Sequence, residues 1–272
     1  LLAISLITLP ALINLWNLWH SNHYCKGFML IPIMFAGLIY KRKTKISNLT
    51  LLKSKWPILL LTLTIAAALI FNNLQMTRFA VLMIILSYVF ASVALFGLTS
   101  RRIFIGPLIF LVLMIPPPQS LINDLITNLQ QLFSLLNHIT LTTFSDTYLY
   151  NQDYIFHFQK TQNAIAITKT CSGYSSLTGF FIISSFLALY EKLTFRKTLL
   201  MLSLAICIAL ILNFIRIILT ITLKLNGMHQ LSLGQWHGLL GICVFIIGCL
   251  LLNKILRNFS KPVNKIRKGT CD

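Results

Sequence analysis

The sequence predicts an all-α polytopic membrane protein with about eight transmembrane helices, an interfacial amphipathic helix and a short extracytoplasmic β-hairpin. Three observations predict it. Of the 272 residues, 57% are hydrophobic and only 10% are charged, far less charge than a soluble domain carries. The apolar residues run in blocks of membrane-spanning length bounded by lysine and arginine. The basic residues fall mostly on alternate loops, the pattern of a chain threaded in and out of a bilayer.

The blocks lie near 1–19, 24–40, 56–72, 79–98, 102–116, 173–190, 198–220 and 236–256. The second and fifth are short and suit a tilted helix or a thinned bilayer. No basic stretch precedes the first block and no small-residue cleavage site follows it, so it reads as a retained span. With both termini cytoplasmic, four clusters fall inside. They are Lys41, Arg42, Lys43, Lys45, Lys53 and Lys55; Arg101 and Arg102; Lys192, Arg196 and Lys197; and Lys254, Arg257, Lys261, Lys265, Arg267 and Lys268. That is 17 of the 23 basic residues. The exceptions are Lys26, Arg78, Lys160, Lys169, Arg216 and Lys224.

The same asymmetry accounts for the net charge of +18 and implies contact with anionic membrane lipids. Nucleic acid does not fit as a partner, because the basic residues are scattered over separate loops with no aromatic platform among them. There is no internal repeat and no low-complexity linker. The chain reads as one integral membrane domain over 1–272, with a basic cytoplasmic tail at 257–272.

Residues 119–145 form the amphipathic helix. Ile122, Leu125, Ile126, Leu129, Phe133 and Leu136 share one face. Asn123, Asp124, Thr127, Asn128, Gln130, Gln131 and Ser134 fill most of the rest, which suits an interfacial position. A crossing here would put every later loop, and the basic tail, on the opposite side. Pro116, Pro117 and Pro118 separate this helix from the preceding span. Residues 146–171 are then extracytoplasmic. Tyr154, Phe156 and Phe158 alternate with Ile155, His157 and Gln159, a turn follows at 160–163, and Ala164–Thr168 reads as a second strand.

This hairpin leads to Cys171, the first of three residues that carry chemistry. Ser172 reads as an N-cap of the next span. A thiol at a helix N-terminus is biased toward thiolate, and the amides of that first turn can face an oxyanion. Cys207, Cys243 and Cys249 lie within spans and read as inert apolar fillers. The second residue, Arg216, lies in an apolar run near the outer end of its span, with Asn213 three residues before it on the same face. An arginine snorkelling to the interface is the ordinary alternative. The third, His237, opens the last span beside Trp236. His138, His157 and His229 also fall outside, but a helix end positions His237 more rigidly. The histidines lack HxxxH spacing and the cysteines lack CxxC, so no metal or cofactor is implied.

The segments KTCSGYSSL, LNFIRI and QWHGLLG, in this order on successive spans, resemble the exosortase/archaeosortase family. The proline cluster, the amphipathic helix and the short external segment before the cysteine match as well. The resemblance implies a membrane cysteine protease/transpeptidase of the cell (inner or plasma) membrane, with its active site on the extracytoplasmic face. Its partners would be exported proteins ending in a sorting signal: a short motif, a transmembrane helix and a basic tail. It implies Cys171 as nucleophile, Arg216 and His237 as the family's arginine and histidine, and Ser172, Gly173 and Asn213 as supporting residues. The alternative is a multipass transporter or flippase that uses the intramembrane Asn213/Arg216 pair.

Overall fold

A computed structural model describes residues 7–47, 49, 56–144, 148–152, 154–158, 165–226 and 235–260. The start of the first expected span, Lys53, Lys55, the turn expected at 160–163, His229 and the tail from residue 261 lie outside the described residues. The chain divides into two compact units, Leu1–Pro117 and Pro118–Asp272.

In the first unit, proline opens two helices. α1 (Leu9–Ser21) and α2 (Ile31–Lys41) carry Pro10 and Pro32 in their first turns, where a missing N–H loses no partner. A 3-10 helix, His23–Leu30, runs directly into α2. The short α3 (Lys43–Ser47) follows. α4 (Trp56–Asn73) and α5 (Thr77–Phe96) form a helical hairpin. Ala11, Ala68, Ala80 and Ile84 make its core, and the small alanines let the helices approach closely. Gly97, at φ 70°, ends α5 and donates its N–H back to Val93. α6 (Arg101–Val112) runs toward the prolines. There Arg78 satisfies the stranded carbonyls, with Nε 2.9 Å from Pro116 O and Nη2 3.4 Å from Pro117 O. Helices α1, α2, α5 and α6 line an open cavity of about 730 Å³ whose lining is apolar but for the tryptophans, Tyr88 and Ser92.

In the second unit, α7 (Gln119–Phe144) is the amphipathic helix. Its buried stripe is Ile122, Ile126, Gln130, Phe133, Ser134, Asn137 and Leu141. This departs from the face expected from composition. Leu125 and Leu136 are exposed, whereas Gln130 and Ser134 are buried. The stripe keeps to helical spacing, so it turns polar where the sheet and the later helices cover it. A three-stranded sheet follows, β1 (Tyr148–Gln152), β2 (Ile155–Phe158) and β3 (Ile165–Ala166), in the order β1-β2-β3. Both pairings are antiparallel, with Asn151 opposite Phe156 and Phe156 opposite Ile165. The strand β1 was not expected. Phe156 and Phe158 bury one face of β2 against Phe133 and Leu141 of α7 and Ile217 and Ile221 of the long helix below.

Three helices complete the unit: α8 (Tyr174–Tyr190), α9 (Phe195–Leu225) and α10 (Gln235–Ser260). The α8–α9 turn is a left-handed cap, with Lys192 at φ 51° and the Leu193 N–H donating to Ala188 O at 3.0 Å. Phe180, Ala205, Ala209 and Leu252 form the core among these helices.

Among the described residues, five helices are long and apolar enough to cross a membrane: His23–Lys41, Trp56–Asn73, Thr77–Phe96, Phe195–Leu225 and Gly238–Phe259. Three other expected spans coincide with the shorter α1, α6 and α8, of 13, 12 and 17 residues. Leu63, Ile70, Ile211, Ile246 and Leu250 are more than half exposed. On helices of spanning length such surface suits contact with lipid, and the protein is a multi-pass, nearly all-helical membrane protein with one small sheet.

Candidate active site

Helices α9 and α10 run antiparallel. At one end, the Lys197 Nζ donates to Phe259 O at 2.7 Å. At the other, Arg216 Nη1 lies 3.5 Å from the point a Cβ on Gly241 would occupy. At 1.5 Å rise per residue these ends stand about 28 Å apart, close to one hydrocarbon thickness. His237 stands four residues before Gly241 in the first turn of α10, and its side chain lies outside the described residues. The guanidinium of Arg216 therefore rests against α10 at Gly241, four residues along the helix from His237.

Cys171 is brought to the same end. It closes a 3-10 turn, Lys169–Cys171, between β3 and α8. Asn213 of α9, 2% exposed, donates from Nδ2 to Cys171 O at 3.2 Å. Asn213 and Arg216 stand three residues apart on α9, so one helix face reaches both the cysteine segment and the α10 face. Cys171 is half-buried and packs against the core formed by α7, β2 and α9.

Ser172 and Gly173 divide their duties differently from the expectation. The N-cap of α8 is Gly173, at φ 80°, and not Ser172. Ser172 is buried, with its Oγ 3.5 Å from the Tyr174 N–H. A Cβ on Gly173 would lie 2.6 Å from Asn213 Nδ2 and 2.7 Å from its Cγ. The close approach of Asn213 and the left-handed backbone both require glycine here. Cys171 thus sits two residues ahead of the cap, outside the first turn of α8. Its own N–H donates to Thr168 O at 2.9 Å, and the Ser172 N–H donates to Lys169 O at 3.2 Å. These two amides are engaged within the 3-10 turn.

Two contacts of the cysteine segment were not anticipated. Gln130 of α7, 6% exposed, donates from Nε2 to Ile167 O at 3.0 Å. The Thr168 Oγ1 lies 3.4 Å from Cys171 Sγ. A signal for Gln130 exists in the sequence, since Ile122, Ile126 and Gln130 follow one another at steps of four. Nothing local marks Thr168, which reads simply as the end of a strand. Of the competing histidines, His138 lies on α7 and His157 on β2. Among the described residues, no group of three or more His, Cys, Asp or Glu gathers to hold a metal.

A comparison with protein-family models matches residues 18–253 to the family described as transmembrane exosortase, a match that covers most of the chain. Comparisons with curated proteins and with solved structures returned no match.

Proposed function

The chain belongs to the transmembrane exosortase family, and on that premise we propose that it cleaves exported proteins at a C-terminal sorting signal, with Cys171 as nucleophile. The family's role is that of a membrane-embedded transpeptidase or protease acting on exported proteins. The finer reading concerns the signal, the residues and the face. The signal is a short motif of the Pro-Glu-Pro type followed by a transmembrane helix and a basic tail. The active domain spans 1–272, in keeping with a family match that runs across the boundary between the two units.

One observation carries the site. The hydrogen bond from Asn213 to the Cys171 carbonyl ties the cysteine to α9, and Arg216 of that helix lies against α10 at Gly241, near the helix start where His237 stands in the sequence. In the mechanism, Cys171 Sγ attacks the scissile carbonyl carbon and its proton passes to His237. The carbonyl oxygen becomes an oxyanion. Arg216 stabilises it, a task suited to the fork of N–H donors on a guanidinium. The tetrahedral intermediate collapses, the C–N bond breaks, and His237 returns the proton to the leaving amine. The acyl group stays on Cys171 as a thioester until an amine or water attacks it. Both termini and the Lys197 end of α9 face the cytoplasm, and the Cys171 end faces outward, where a scissile bond just outside a substrate's membrane helix would lie.

The test compares wild type with Cys171→Ala in cells that hold a tagged protein with such a signal, read by mass shift of the tag. Loss of processing at unchanged protein level is the expected result. Equal processing by both would remove the cysteine mechanism. The transporter reading predicts instead that Arg216→Ala stops transport while Cys171→Ala does nothing.

A further inference from the structure

We propose that Thr168 is a further catalytic residue, whose hydroxyl donates to the Cys171 sulfur and holds it as the thiolate. The inference rests on the reading of Cys171 as nucleophile. Its geometric basis is the contact of 3.4 Å between Thr168 Oγ1 and Cys171 Sγ. A threonine at the start of a turn ordinarily spends its hydroxyl on the backbone amides of that turn. Thr168 is the N-cap of the 3-10 turn, yet its side chain makes no capping hydrogen bond. It reaches the sulfur instead, while its backbone carbonyl accepts the Cys171 N–H at 2.9 Å. The same residue thus meets Cys171 through both main chain and side chain.

The hydroxyl is held in place from both sides. Gln130 fixes the carbonyl of Ile167 just before it, and Asn213 fixes the carbonyl of Cys171 three residues on, at the end of the same turn. Branching at Cβ limits the rotamers of Thr168. The chemistry is selective between protonation states. Against a neutral thiol, either partner can donate. Against a thiolate, only the hydroxyl can, and a hydrogen bond to the charged form favours that form. The elements packed around the turn carry other charged or titratable groups. These include Lys169 on the turn, Asp124 and His138 on α7, His157 on β2, Tyr174 on α8, and Arg216 and Lys224 on α9, and His237, the proposed base, stands in the first turn of α10. A substitution at Thr168 leaves them all in place, so they form a common background.

The test is the pH dependence of Cys171 alkylation by iodoacetamide in the full-length, membrane-embedded protein, read by mass on the peptide that holds Cys171. Wild type, Thr168→Ser and Thr168→Val are compared from about pH 5 to pH 10, below and above the usual thiol range. Valine keeps the shape and removes the hydroxyl. The expected result is that Thr168→Val reacts about fivefold more slowly at neutral pH, the worth of one modest hydrogen bond. Its rate at the high-pH plateau matches wild type, and Thr168→Ser follows wild type throughout. Superimposed profiles for Thr168→Val and wild type would overturn the proposal. So would a loss of rate in Thr168→Val that is equal at every pH, because that reports access and not charge. Substrate processing is assayed in parallel. If Cys171→Ala processes substrate as well as wild type while Thr168→Val still displaces the alkylation profile, the protease reading fails and the Thr168 pairing stands.

Discussion

Gly173 shows how one residue couples the nucleophile segment to the helix behind it. It supplies a left-handed backbone between Cys171 and α8, and it leaves the space that Asn213 fills. Gly173→Ala is expected to destabilise the protein by about 1–3 kcal/mol and to stop processing. The check is the thermal midpoint in detergent together with the mass-shift assay. Adding Asn213→Ala removes the clash but leaves the backbone strain, so the double variant should regain only part of the midpoint. It should not regain processing, because the bond to the Cys171 carbonyl is gone. A wild-type midpoint for Gly173→Ala alone would show that the backbone can yield. At Arg216, the shape of the cation matters as well as its charge. Lysine keeps the charge and loses the planar fork, so Arg216→Lys should process substrate about a hundredfold more slowly, comparable to loss of one oxyanion donor. Equal rates would mean that a point charge suffices.

At the scale of elements, α7 is more than an interfacial float. Its stripe places Gln130 under the strand that leads to Cys171. Gln130→Leu should leave the amount of protein unchanged and lower processing several-fold, since the Ile167 carbonyl loses its donor at a net loss of about 1 kcal/mol. Gln131, exposed on the same helix, is the control, and Gln131→Leu should match wild type. Equal losses in the two variants would sink the positioning role. The contact of α8 with α10 depends on a missing side chain. A Cβ on Gly248 would come within 2.6 Å of two ring atoms of Phe180, which is itself 1% exposed. Gly248→Leu is expected to overpack this contact and lower stability by about 1–3 kcal/mol, seen as a lower thermal midpoint. An unchanged midpoint would mean that α10 can shift without loss.

For the molecule as a whole, the second unit sorts its charges by end. Lys197 meets the end of α10, and Arg216 lies about 28 Å away along α9. If the Lys197 end is cytoplasmic, a membrane-impermeant thiol reagent should label Cys171 in intact cells. A cysteine introduced by Glu191→Cys, in the exposed α8–α9 turn, should label only after permeabilisation. The reverse pattern would invert the proposed topology.

Hydropathy and charge are local and periodic, so the sequence by itself determined the membrane class, the amphipathic helix over 119–145, the break at Pro116–Pro118 and the order of Cys171, Arg216 and His237. It also carried the family resemblance, because those three motifs keep their order on successive spans. Tertiary structure alone decided the rest. Ser172 looked like the cap, but Asn213, about 40 residues further along the chain, crowds the segment so that glycine must take that position. Gln130 looked solvated, but the sheet and later helices bury it. Each of these depends on a partner distant in sequence, and only packing brings such partners within hydrogen-bonding distance.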